Sequence, residues 1–484
     1  MRPLFKVSSV ILLPLIMSGC VAASETFEPD LGFSVVSADA GRRLGKQTVW
    51  VQDQAQAAAA NERVRNLLAT RYVGADAAVQ VALLSNKTLQ ADYAEVGLSV
   101  AELWQEGLAV NPRLSLSYSG IGVGRTIEGL IAANIIRMMT RERRLDVAEV
   151  RVLQAQLRAV DATLALAART REAWIEAVAA WETVAYLNRA KVAADAAAEL
   201  ASELGRTGAM PKVEQAREQA FYAELTGRTA EARLAAQLAK EKLFRVMGVW
   251  GKNLDFEVPN ALPALPGKLK DFKAIEAEAL RNRVDLQVAR LELEALARSY
   301  GLTKATRYVS DLELAAGLEV EEEVEEREDG TEETNNVVSG VIEVGLEIPI
   351  FDSGQARLRK AEFQYLKAAN QLAAKAVDIR SQARAAYKAY RGRSEIARHY
   401  RSRVVPLRTT IEKEALLTYN GMITSTFDLL ADTRAKLDAI LLSLNAKREF
   451  HLADAALTAA VYGGGEDASE AAGGAEMASA SGDD

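Results

Sequence analysis

The sequence predicts a mainly α-helical chain with transmembrane β-strands, built from two copies of one unit. Three observations predict that class. Two helix-forming stretches, 140–204 and 354–419, far exceed the helices of a small globular domain. The order helix, β-like stretch, long helix, break, helix occurs twice. Between helices of the second copy, two runs alternate apolar residues with acidic or small ones at period two.

The elements follow in chain order. Residues 1–19 read as a secretory signal: Arg2 and Lys6 precede a short apolar core, Val7 to Met17, too short to span a bilayer. Met17-Ser18-Gly19-Cys20 resembles the bacterial lipobox, which makes Cys20 a lipidation site. Ordinary cleavage near Ala22-Ala23, with Cys20 lost, is the alternative. A lone thiol is a liability in an oxidising compartment, and acylation removes it. Val21, where an Asp would favour inner-membrane retention, points to the outer membrane. Residues 20–75 form a lipidated N-terminal extension.

The first unit spans 76–257, with a helix at 76–110, a β-like stretch from Arg113, the long helix, a break at Gly208 and a helix at 212–249. The second spans 268–462, with a helix at 272–303, β-like stretches within 308–351, the long helix, a break at Gly421 and a helix at 426–462. A Pro-rich linker, 258–267, joins them. Residues 463–484 read as a disordered acidic tail. Each long helix would measure roughly 98 Å at 1.5 Å per residue. A solvated coiled-coil rod is the plain reading of such helices; the β sequence between them argues against it.

Composition excludes several classes. The chain has 484 residues, 49% hydrophobic and only 6% aromatic, which suits long helices and excludes a disordered chain or a collagen. One Cys makes no internal disulfide and no Cys cluster. His399 and His451 lie in helical sequence without a neighbouring His and read as structural. No catalytic set, cofactor or metal site is expected, and no run of about 18 apolar residues predicts a transmembrane helix. The net charge of −7 is concentrated: residues 319–336 hold ten acids against Arg327, and the tail holds six acids and no base. The mildly basic remainder has no basic patch interleaved with aromatics, so no nucleic-acid partner is expected. The glycines of 120–124 lack the spacing and βαβ context of a phosphate loop.

The second β region is the most informative. Leu312, Leu314, Ala316, Leu318 and Val320 alternate with Asp311, Glu313, Ala315, Gly317 and Glu319. Ile342, Val344, Leu346, Ile348 and Ile350 alternate with Val341, Glu343, Gly345, Glu347 and Pro349. Runs of about ten residues suit a tilted membrane-spanning strand. The alternation alone equally fits a soluble hairpin with one face on a core. The acid-rich connection, read as a solvated surface loop, favours the membrane.

These residues carry a resemblance. Ala279-Leu280-Arg281-Asn282-Arg283-Val284-Asp285-Leu286 and Gly345-Leu346-Glu347-Ile348-Pro349-Ile350-Phe351-Asp352-Ser353-Gly354-Gln355-Ala356-Arg357 resemble two motifs of the TolC-like outer membrane efflux proteins. Asp352 is expected to cap the helix that follows. Tyr419-Asn420-Gly421-Met422-Ile423-Thr424-Ser425-Thr426-Phe427-Asp428-Leu429-Leu430 resembles the helical-hairpin tip, with Gly208-Ala209-Met210-Pro211-Lys212-Val213-Glu214 as its first-half counterpart. The first half departs from the pattern. Leu114, Leu116 and Tyr118 alternate with serines, but its second strand must lie near 125–134, where alternation is poor and Ile135-Ile136-Arg137-Met138-Met139 replaces the expected ending.

The resemblance implies a homotrimer, a twelve-stranded outer-membrane β-barrel continued by a trimeric α-barrel across the periplasm. It implies an exit duct of a tripartite efflux system, passively conducting small molecules or metal ions. A periplasmic adaptor and an inner-membrane transporter would be its partners. A type I protein secretion duct and a lipid-anchored coiled-coil scaffold are the alternatives. In such a barrel Asp311, Glu313, Glu319, Glu343 and Glu347 would face the lumen as acidic rings. Gly208, Ala209, Met210, Gly421, Met422 and Ile423 would meet the adaptor. Asp428 and Asp432, one helical turn apart, would ring the periplasmic gate. Asp428 alternatively serves only to start its helix.

Overall fold

The structure, a computed structural model, describes residues 30–121, 124–309, 311–326, 332–421 and 423–464. Cys20, Met422, the 327–331 connection and nearly all of the tail therefore lie outside the described residues. The first unit comprises α3 (Ala75–Ser85), α4 (Lys87–Gly107), β1 (Arg113–Ile121), β2 (Gly124–Asn134), α5 (Ile135–Met139), α6 (Arg141–Arg206) and α7 (Lys212–Met247). It is preceded by α1 (Phe33–Leu44) and α2 (Gln54–Leu68), helices within the predicted extension. The second comprises α8 (Ile275–Asn282), α9 (Val284–Ala305), β3 (Leu312–Glu326), β4 (Glu332–Leu346), α10 (Gln355–His399), α11 (Val405–Asn420) and α12 (Thr426–Tyr462).

The long helix of the first unit forms as predicted, 66 residues without interruption. Its buried positions are largely small: Ala148, Ala155, Ala159, Ala167, Ala173 and Ala177 among them. Small side chains let α4, α7, α9 and α12 pack closely along it. Its counterpart is not continuous. A π-helical turn, Tyr400–Val404, separates α10 from α11. Pro406 follows it, and its missing N–H and its ring would break a regular ladder four residues back. The helices expected at 76–110 and 272–303 are likewise each two. Asn86 divides the first, accepting from the Leu89 N–H at 3.0 Å and donating to the Val246 carbonyl at 2.9 Å.

Among the described residues three buried clusters hold the body, and two of them flank the linker. One gathers Leu83, Tyr93, Trp174 and Met247, all buried, where Trp174 Nε1 donates to the Val73 carbonyl at 2.8 Å. Phe33 of α1 stacks edge-on against Tyr93 at 4.7 Å, which seats the extension on the first unit. The other packs Tyr390 against Phe450 at 5.5 Å, with Ile379 and Leu286. The linker is clamped between them: Glu182 accepts from the Leu262 N–H at 2.9 Å, and Lys447 bridges Glu182 and the Leu262 carbonyl. His451 contacts the Pro263 carbonyl at 3.0 Å, the structural role expected of it.

The four strands among the described residues form one antiparallel sheet in the order β1-β2-β3-β4. The weakly alternating 125–134 segment is a full strand, because pairing on both sides satisfies its backbone. The acidic connection is a correction. Most of it is strand, with Glu321 to Glu326 paired to Val337 through Glu332. Acidic sequence is tolerated in a strand there because the ladder pairs the backbone on both strands.

Candidate functional site

Register sorts the sheet into two faces. Rows run across it through Leu114–Ile131–Ala316–Ile342, Leu116–Gly129–Leu318–Gly340 and Tyr118–Ile127–Val320–Val338. Leu314 with Val344, and Leu312 with Leu346, complete the apolar face. Its large side chains are exposed: Leu116 by 73% and Ile342 by 77%. From Leu312 to Val320 the band is about 27 Å along the strand, at roughly 3.4 Å per residue. Arg125 and Glu322, 3.9 Å apart, end it with charge.

The opposite face carries Glu313, Glu319 and Glu343, and with them Glu128 and Glu321, which the sequence alone does not single out. Glu128 stands directly across from Glu319, in the row Ser117–Glu128–Glu319–Ser339. Ser117 donates to Glu128 at 3.0 Å. Glu128 was hidden by the irregular apolar pattern around it; its even spacing from Asn134 was the available signal. Arg113 lies 3.6 Å from Glu313. Asp311 precedes β3 and accepts from Asn134 at 2.5 Å, while Glu347 lies just past β4. Those two acids stand at the helix-side end of the sheet rather than within it.

Gly317 lies where the two hairpins join. A Cβ there would sit 1.8 Å from the Gly129 carbonyl oxygen. Below the sheet, Asp352 does not cap α10. It accepts from the Gly354 N–H at 2.8 Å, and Gly354, at φ 71°, is the N-cap against the Arg307 carbonyl.

The two helical breaks are built differently. Gly208 is left-handed at φ 77°, and the Ala209 N–H reaches back to the Leu204 carbonyl at 2.8 Å. Gly421, at φ −78°, uses no glycine-only conformation. Ala209 and Ile423 are exposed and Met210 is half-buried, its carbonyl accepting from Gln215 at 2.8 Å. Asp428 closes a capping box with Ser425, so it does start α12; Asp432 lies half-buried one turn on.

The seam between the hairpins holds charges the sequence did not single out. Tyr186, Glu218, Phe221, Glu412 and Lys436 line a cleft of about 300 Å³. Lys436 pairs with Glu412, and Arg434 lies over the Phe221 ring at 4.9 Å. Burial raises the Glu218 carboxyl, and burial with Glu412 pushes the Tyr186 hydroxyl up to about 12.

No protein-family model and no curated protein matches the chain. Solved structures do. A membrane protein from Pseudomonas aeruginosa matches with a TM-score of 0.68 at 15% identity, over 82% of this chain and 93% of that one. The outer-membrane channel OprN matches at 0.66 and 17%, over 88% and 96%. The outer membrane protein VceC from Vibrio cholerae matches at 0.64 and 17%, over 84% and 97%. The chain has the fold of a TolC-like outer-membrane channel. Within that fold, the apolar band and acidic face belong to the sheet, and the two breaks close the helical hairpins at the far end.

Proposed function

We propose that the chain is the outer-membrane exit duct of a tripartite efflux system, conducting small molecules or metal ions passively. One observation carries this reading: a sheet whose exposed face is apolar across five rows while its other face bears carboxylates. Such a face has no place in water and suits lipid. β1 and β4 are open edges, which lipid does not tolerate, and three copies joined edge to edge would close a twelve-stranded barrel. A lipid-anchored coiled-coil scaffold without a pore does not account for the exposed band, and nothing specific favours protein secretion.

Lipidation of Cys20 fits the geometry. Gln156, which donates to the Gly32 carbonyl at 3.1 Å, lies about 22 Å along α6 from Arg141 at 1.5 Å per residue. The twelve residues from Cys20 to Gly32 reach about 40 Å. An acyl chain on Cys20 can therefore meet the bilayer at the base of the sheet. Met210, Ile423 and their neighbours form the surface for the periplasmic adaptor, which links the duct to an inner-membrane transporter. Asp428 and Asp432 ring the entrance, with Asp428 also serving its capping box.

Planar-bilayer recording of the purified protein tests the duct. The expected result is a cation-preferring conductance that weakens in Glu319→Gln with Glu343→Gln. Absence of channels from folded protein would overturn the reading, and an unchanged reversal potential would remove those acids from the lumen.

A further inference from the structure

α12 ends against the protein. Gly463 and Gly464, at φ 109° and 82°, adopt backbone that side chains disfavour. A Cβ on Gly464 would lie 2.5 Å from the Ala165 nitrogen, so the chain leaves α12 pressed to the backbone of α6. A Cβ on Gly463 would lie 3.0 Å from Asp161 Oδ1, so Asp161 crowds the point of departure.

Beside that point is a groove of about 220 Å³ between α1, α3, α6 and α12, and Gly463 forms part of its wall. Leu44, Val79 and Leu164 make its floor, and Arg43, Lys46 and Arg171 its rim. The acids near the rim do not match those cations. Asp39 serves both Arg42 and Arg43, and Asp76 serves both Lys46, at 3.5 Å, and Arg171, at 2.9 Å. Four cations thus share two carboxylates. The segment that begins here carries six acids and no base. Its first acid, Glu466, is three residues past Gly463, a reach of about 10 Å. Ala468, Ala471 and Ala472 lie among these acids and can rest on an apolar floor without needing hydrogen-bond partners.

We propose that residues 466–472 of the acidic tail dock in cis in this groove, their carboxylates on Arg43, Lys46 and Arg171. The tail then ties the N-terminal extension to the last helix of the second unit. This goes beyond the exit-duct reading and does not depend on it.

Zero-length carbodiimide cross-linking of the detergent-solubilised full-length chain, read by peptide mass spectrometry, tests the proposal. The expected product joins Lys46 to Glu466, Asp467 or Glu470. Its yield should fall roughly threefold in 1 M salt, where screening acts within about 3 Å, and again in Arg43→Gln with Arg171→Gln. The Lys242–Glu176 pair, 2.8 Å apart, is the internal control. If the control forms while Lys46 joins no tail acid, the proposal is overturned. So is it if the Lys46 product appears only between isotopically distinct chains mixed before reaction.

Discussion

Placing a lysine at Ile342 tests the face assignment directly. Ile342 stands in the third of five apolar rows, opposite Ala316, and is 77% exposed. If the band spans the bilayer, that row is its midplane, where a lysine costs about 2–4 kcal/mol in each chain. Three copies make that about 6–12 kcal/mol per trimer, and even a single-chain cost of about 3 kcal/mol shifts a folding equilibrium roughly a hundredfold. Two controls use the same sheet. Val338→Lys lies in the outermost row, where the cost falls to about 0–1 kcal/mol. Val341→Lys, beside Ile342 but on the carboxylate face, should insert nearly as well as the parent. The assay is refolding from urea into lipid vesicles, with the folded fraction read by heat-modifiable gel mobility. The expected order of loss is Ile342 far above Val338 and Val341. Equal losses at Ile342 and Val341 would refute the assignment.

Three further outcomes follow. Burial, then the charge of Asp285, pushes the Asp161 carboxyl up to about 6 from 3.8, so the folded chain holds that proton more tightly than the unfolded one. Stability should therefore fall as pH rises through that window, by at most about 3 kcal/mol, and Asp161→Asn should flatten a melting profile between about pH 4 and 6.5; an unaltered slope would exclude the residue. Arg283 is 2% exposed and held by Asp285 through bonds of 2.8 and 2.7 Å, so Asp285→Ala should cost about 3–5 kcal/mol by urea melting, and Arg283→Met with Asp285→Leu much less. Equal losses in the two would refute that. Gly317→Val should abolish the heat-modifiable barrel while leaving helical circular dichroism intact, whereas Gly340→Ala, with nothing within 4 Å of its added methyl, should do neither.

Much of this was legible because period two and long helical runs are strong signals. The second hairpin's faces, the 66-residue helix and the paired breaks could be read residue by residue. What escaped depends on partners. The 125–134 strand gains its order from β1 and β3, and Glu128 is defined as an acid of the carboxylate face only by its register with Glu319. The Glu321–Glu326 stretch reads as a loop by its charge alone, yet the pairing that makes it a strand comes from its partner. The π-helical turn had a signal in Pro406, set inside an otherwise regular helix. The charges of the inter-hairpin seam lie on three helices, α7, α11 and α12, and no local pattern joins them.

The register has a consequence for how the chain can change. Side chains alternate faces, so one residue inserted or deleted between Leu312 and Val320 would turn every carboxylate beyond it onto the apolar face and every leucine onto the carboxylate face. Beyond Val320 and Val338 the hairpin is largely polar on both sides. Length can be added or removed there without inverting anything beneath it. An epitope or affinity tag belongs in that outer hairpin, and drift in chain length should accumulate there while the rows between Leu312 and Val320 keep their count.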